Sequence, residues 1–166
     1  MKKICLTITI AIFLLINLNG LQAQTTQPKL NQVDLLKQLI GFWKSDAYYD
    51  TIWTGEYKSF GNGLVCSSST ILKGEIIREV QEFIGYDKKN GKLIDCSIFT
   101  SDQDITIYSM WFTSPNKFTV FKLQDWSKPD SACYMSNYEF KSSDLLIQTD
   151  INNYKTIGIY TFHRVK

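Results

Sequence analysis

The chain has a single histidine, His163, and no glycine-rich loop followed by a helix. One imidazole excludes the multi-histidine sets that hold zinc or copper. Ser67-Ser68-Ser69-Thr70 has no Gly-x-Ser-x-Gly turn and no second base to activate a nucleophile. Gly61-Asn62-Gly63 is a turn between extended segments, not a phosphate cradle. An excess of one charge is also missing, since 18 Lys+Arg stand against 16 Asp+Glu. Without a basic block there is no footprint for a phosphate backbone, and nucleic acid is excluded as a partner. Four cysteines occur without a C-x-x-C pair, which removes the common redox and zinc motifs. No enzyme signature emerges, and neither a cofactor nor a metal is expected.

The N-terminus carries Lys2-Lys3, an apolar run from Ile4 to Leu18, and then Asn19-Gly20-Leu21-Gln22-Ala23-Gln24. That order predicts a secretory signal peptide over residues 1–23, cut after Ala23. The apolar run is short of the ~20 residues of a membrane-spanning helix, so no span is expected in the mature chain. Cys5 comes too early to be a lipid-modified first residue. The expectation is a soluble exported protein, periplasmic or extracellular, formed by residues 24–166 as one domain. Its remaining cysteines, Cys66, Cys96 and Cys133, are odd in number, and are expected as buried thiols with at most one bridge.

Residues 28–40 place Val33, Leu36, Leu39 and Ile40 on one helical face, with Asn31 able to cap the start and Gly41 the end. After that everything is strand-like. Ten segments rich in β-branched and aromatic residues run from Trp43 to Val165. Turn residues separate them, as at Lys73-Gly74, Ser114-Pro115-Asn116 and Asn152-Asn153. Links this short permit only hairpins between neighbours. The expected fold is therefore all-β: an up-and-down antiparallel meander of eight to ten strands with one short N-terminal helix. Closing it into a barrel removes both exposed edges.

A helix, then Gly41-Phe42-Trp43 opening the first strand, then a meander ending in Tyr160-Thr161-Phe162-His163-Arg164: this layout resembles the lipocalin and fatty-acid-binding (calycin) superfamily. It is similar above all to small secreted bacterial lipocalin-like proteins. The resemblance implies that Trp43 sits at the closed base of the barrel with Arg164 packed across it, Gly41 completing the floor. The second and third signature blocks of the classical lipocalins are absent. So is a helical lid, because Asp50-Thr51-Ile52 is too short to hold one.

Strand parity then sends Ser45, Ala47 and Tyr49 inward with Trp43, and Phe162 and Tyr160 inward with Arg164. His163 faces solvent on the same reasoning, against the haem-ligand role that the resemblance would allow. Arg78, Trp111, Tyr138 and Tyr160 are the expected ligand-binding residues. Glu75, Glu79 and Glu82 do not share a face and read as a solvated side, and Asp102-Gln103-Asp104 reads as a hairpin tip. Whether the interior is hollow or filled stays open, since barrels of eight strands do both. The leading expectation is a binding barrel for a small, mostly apolar ligand whose acidic or carbonyl end meets Arg78 or the tyrosines. The rival is a protein-interaction or inhibitor barrel acting through Trp53, Trp126 and the 125–131 loop.

Overall fold

A computed structural model describes residues 30–100, 105–123 and 134–166. The expected signal peptide, Cys133, Trp126 with the 125–131 loop, and the Asp102-Gln103-Asp104 tip lie outside those residues. One short helix, α1 (Gln32–Leu36), runs into a single 3-10 turn at Lys37–Leu39. Ten strands follow: β1 (Gly41–Ser45), β2 (Thr51–Phe60), β3 (Gly63–Leu72), β4 (Glu75–Asp87) and β5 (Lys92–Phe99). Then come β6 (Ile105–Ser114), β7 (Lys117–Lys122), β8 (Tyr134–Ser142), β9 (Leu145–Asn152) and β10 (Lys155–Val165). Each pairs antiparallel with its neighbours in the chain, and β1 pairs with β10, so the sheet is a closed up-and-down barrel.

The closure register brings Trp43 opposite Arg164 and Ser45 opposite Phe162. Opposed residues share a face, so one pairing sets the inside and outside of both strands. Register shifts at Thr70/Ile71, Phe112/Ser114, Phe140/Ser142 and Thr156/Gly158 bend four of the ladders. Such bulges add local twist, which a sheet needs in order to curl shut.

The helix is shorter than its sequence pattern suggests, with five α-helical residues before the 3-10 turn. Asn31 does cap it, accepting a hydrogen bond from the Asp34 amide at 3.3 Å. Leu36 and Leu39 are buried against the barrel's end. Gln32 replaces a missing strand neighbour for β6: its amide nitrogen donates to the Phe112 carbonyl at 3.1 Å. The Phe112 amide donates back to the Gln32 Oε1 at 2.7 Å. The helix is thus fastened across the floor by backbone-like hydrogen bonds as well as by its leucines.

Strand β1 ends at Ser45, and with it the parity expected for Ala47 and Tyr49 ends too. The Ser45 hydroxyl accepts a hydrogen bond from the Trp53 amide at 2.8 Å, where a backbone carbonyl of a continuing strand would have accepted. Beyond it the chain turns through Tyr49 and Asp50, both at positive φ. Tyr49 is consequently exposed rather than enclosed.

Candidate functional site

The floor is built first. Arg164 lies with its guanidinium carbon 4.3 Å above the Trp43 ring. Its Nη2 donates to the Gln38 carbonyl at 2.8 Å, its Nε to the Ser143 carbonyl at 2.9 Å, and its Nη1 to the Ile40 carbonyl. Gln38 and Ile40 belong to the last turn before β1, whose carbonyls have no helical partner, so a cation there is doubly suited. Trp43 donates its indole N–H to the Leu39 carbonyl at 2.7 Å. Gly41 sits at φ +127°, and a Cβ there would lie 2.8 Å from the Arg164 Nη1. The glycine is required twice, by its backbone and by the arginine that passes over it.

Above this floor the barrel is hollow. A cavity of about 620 Å³ reaches from Leu39 and Trp43 at the base to Tyr48, Tyr49 and Arg78 at the other end. Ten strands enclose a wider lumen than eight, which side chains of ordinary size leave unfilled. Two glycines widen it further. A Cβ at Gly158 would come within 2.7 Å of the Tyr160 hydroxyl, and one at Gly55 would overlap the Trp53 ring. Both rings therefore fold back over a glycine two residues away and lie along the wall instead of crossing the lumen.

The lining is mixed. Met110, Phe118, Val120, Leu146 and Phe162 form its apolar part, and Tyr138 stacks flat on Phe118 with centroids 4.5 Å apart. The polar part contains three carboxyl groups, those of Glu82, Asp95 and Asp150. Asp150 accepts hydrogen bonds from Tyr134 at 2.8 Å, Ser136 at 2.7 Å and Gln148 at 2.8 Å. Asp95 accepts from Ser97 at 3.1 Å.

Burial pushes the Glu82 carboxyl up to about 6, against hydrogen bonds from Cys66 and Tyr57 that favour its charged form. Asp95 is pushed well above the usual carboxylate range by burial and by the nearby Glu82 charge. The phenols of Tyr57 and Tyr138 are raised as well, chiefly by burial and then by these carboxylates. Burial disfavours the charged form of these groups, and the Glu82 carboxylate adds to the rise at Asp95, Tyr57 and Tyr138.

Of the four expected ligand-binding residues, the structure brings Arg78, Tyr138 and Tyr160 to the cavity. Arg78 is at its outer end, with its guanidinium carbon 4.1 Å from the Phe99 ring centre. Trp111 is the correction. It alternates along β6 with Met110 and Phe112, which point inward, so it stands on the outer face. There it meets Phe121 edge-on at 4.7 Å and carries the Lys92 ammonium 3.1 Å above its ring.

Glu82 is a second correction. The sequence pattern reads it as part of a solvated side, but it points into the lumen opposite Cys66 and Ser97. Trp53, expected at the rim, lines the cavity and meets Phe162 edge-on at 5.1 Å. His163 is exposed, 3.3 Å from the Asp46 carboxylate on the outer face. Cys66 and Cys96 are free thiols, the first buried and the second partly so.

Asp95, Asp150 and Gln148 were not foreseen. In β5 the outward residues Ile94, Cys96 and Ile98 are more apolar than inward Asp95 and Ser97, so the hydrophobic pattern points the wrong way. Carrying the Trp43–Arg164 pairing round the hairpins, strand by strand, is the signal that finds them. No protein-family model matches this chain, and no curated protein matches it in sequence.

Proposed function

We propose that this chain is an exported, non-catalytic binding barrel of the lipocalin and fatty-acid-binding kind, holding a small and mostly apolar molecule in its lumen. The observation that carries the reading is the unfilled cavity of about 620 Å³, within the ~300–1,000 Å³ range of small-molecule sites. An interior kept empty forfeits packing contacts that a filled core would make. The folded-back rings of Trp53 and Tyr160 keep that space free. Kinship with the calycins is supported by the floor, where a helix, a Gly-x-Trp and a last-strand arginine meet as in that superfamily.

The test is a titration of the purified protein with a neutral apolar fluorophore such as Nile red, beside native mass spectrometry of protein taken from its producer. Saturable one-to-one binding is expected, and Val120→Trp, which fills the lumen from one wall, is expected to weaken it at least tenfold. Absence of both binding and a retained small molecule in a folded sample overturns the proposal.

A further inference from the structure

The sequence pattern suggests an acidic or carbonyl end on the ligand, met by Arg78 or the tyrosines. The lumen itself points the other way. Glu82 and Asp95 belong to the adjacent strands β4 and β5, and Asp150 to β9. In the closed order of ten strands β4 and β9 lie diametrically opposite, so both walls carry carboxyl groups. Among the described residues Tyr57 and Cys66 donate to Glu82, Ser97 to Asp95, and Tyr134, Ser136 and Gln148 to Asp150. Arg78 faces the same cavity from its far end, where it is exposed to solvent.

Ser68 supplies a separate observation. It lies on the inward face of β3, between Cys66 and the cavity-lining Thr70, and is only 5 % exposed. Its hydroxyl has no hydrogen-bond partner among the described residues. A buried hydroxyl left without a partner is costly unless something else supplies one. Beside it, over Gly55, lies the Trp53 ring. Carboxyl groups on both walls and the aromatic faces of Trp53, Tyr57 and Tyr138 in one enclosure are the chemistry that receives a substituted ammonium.

We propose that the cavity takes an organic cation, a protonated amine on an apolar or aromatic body, with Glu82, Asp95 and Asp150 as counter-charges and Trp53, Tyr57 and Tyr138 as aromatic walls. This rests on the binding-barrel reading and names the class of its ligand. Without a cation, Glu82 and Asp95 on their adjacent strands hold a proton more tightly than free carboxyls do. A bound ammonium replaces that proton, so binding releases it to solvent. The groups that face Glu82 from the surrounding strands are Tyr57, Cys66, Asp95, Tyr108 and Tyr138, with Asp150 on the opposite wall and Arg78 on its own strand. Of these only Arg78 brings positive charge. Amine affinity therefore rises with pH from 5 to 7.5 and flattens above, with a slope approaching tenfold per unit below pH 6.

The experiment uses three probes of nearly one shape: 2-(1-naphthyl)ethylamine, 2-(1-naphthyl)ethanol and 1-naphthylacetate, titrated calorimetrically at pH 7.5. The amine is expected to bind at least tenfold tighter than the alcohol, and the acetate weakest. In the Glu82→Gln variant the amine is expected to lose at least tenfold while the alcohol stays within twofold. If the acetate equals the amine, or the alcohol matches it, the charge assignment is overturned while the binding-barrel reading stands. If none of the three binds and Nile red also fails, both fall. The ligand series on the unaltered protein decides the matter even where the variant does not fold.

Discussion

Arg164 and Trp43 face each other across the β1–β10 ladder, guanidinium carbon 4.3 Å from the indole ring centre, and this pair joins the two ends of the described chain. The arginine also takes two carbonyls from the turn at the end of the helix. One side chain therefore closes the barrel, covers its plug and ties the helix to its floor.

Replacing Arg164 by alanine leaves those carbonyls unpaired and uncovers the indole. The expected loss is about 2–4 kcal/mol in urea denaturation, combining the stranded acceptors with the lost cation–π contact. Arg164→Lys should recover less than half of it, because an ammonium cannot reach three carbonyls as a planar fork does.

Gly41→Ala forces a Cβ into a backbone at φ +127° and against the Arg164 guanidinium. A cost of roughly 1–3 kcal/mol is expected from the conformation alone. The Trp43 fluorescence of the folded state should also shift, since the group stacked on that ring must move.

Gly158→Ala acts on the lumen and not on the frame. The Tyr160 ring would have to leave the wall and swing across the cavity. Affinity for Nile red should fall at least fivefold with a change in melting temperature of only a few degrees. Equal affinity in the variant would mean that the ring does not shape the site.

Glu82 makes the empty protein sensitive to pH. Its folded value near 6 lies above the ordinary 4.5, so the folded state holds the proton more tightly than the unfolded chain does. The ionised carboxylate is then a burden that is absent below about pH 4.5 and complete above pH 6. Its size is about 2 kcal/mol by the ordinary conversion of a pKa difference. Glu82→Gln should stabilise the empty protein by an amount of that order at pH 7.5 and change little at pH 4.5. An equal effect at the two pH values would show that the charge is not what costs stability.

The frame was legible in the sequence because it depends on local rules. Alternation, turn residues and short links place ten strands between Trp43 and Val165, and short links permit only an antiparallel meander. The floor was legible through the resemblance to the calycins, which implies that Trp43 and Arg164 meet there, and that pair then set the parity of the first and last strands. Ser45, Tyr160 and Phe162 follow from that parity and do face the lumen. It failed at Tyr49, where a serine hydroxyl ended the strand early. It failed at Trp111 because β6 is apolar on both faces, so that no pattern within the strand tells in from out.

The amino-acid sequence by itself determined an up-and-down meander of eight to ten strands, because backbone pairing and side-chain alternation act over a few residues, and the resemblance to the calycins supplied the meeting of Trp43 with Arg164. Only the tertiary structure decided that the interior is hollow and acidic. That outcome depends on how wide ten strands close, on two glycines that let rings lie flat, and on carboxyl groups from β4, β5 and β9 facing one another across the lumen. Residues so far apart in the chain share a field only once the sheet has curled round them.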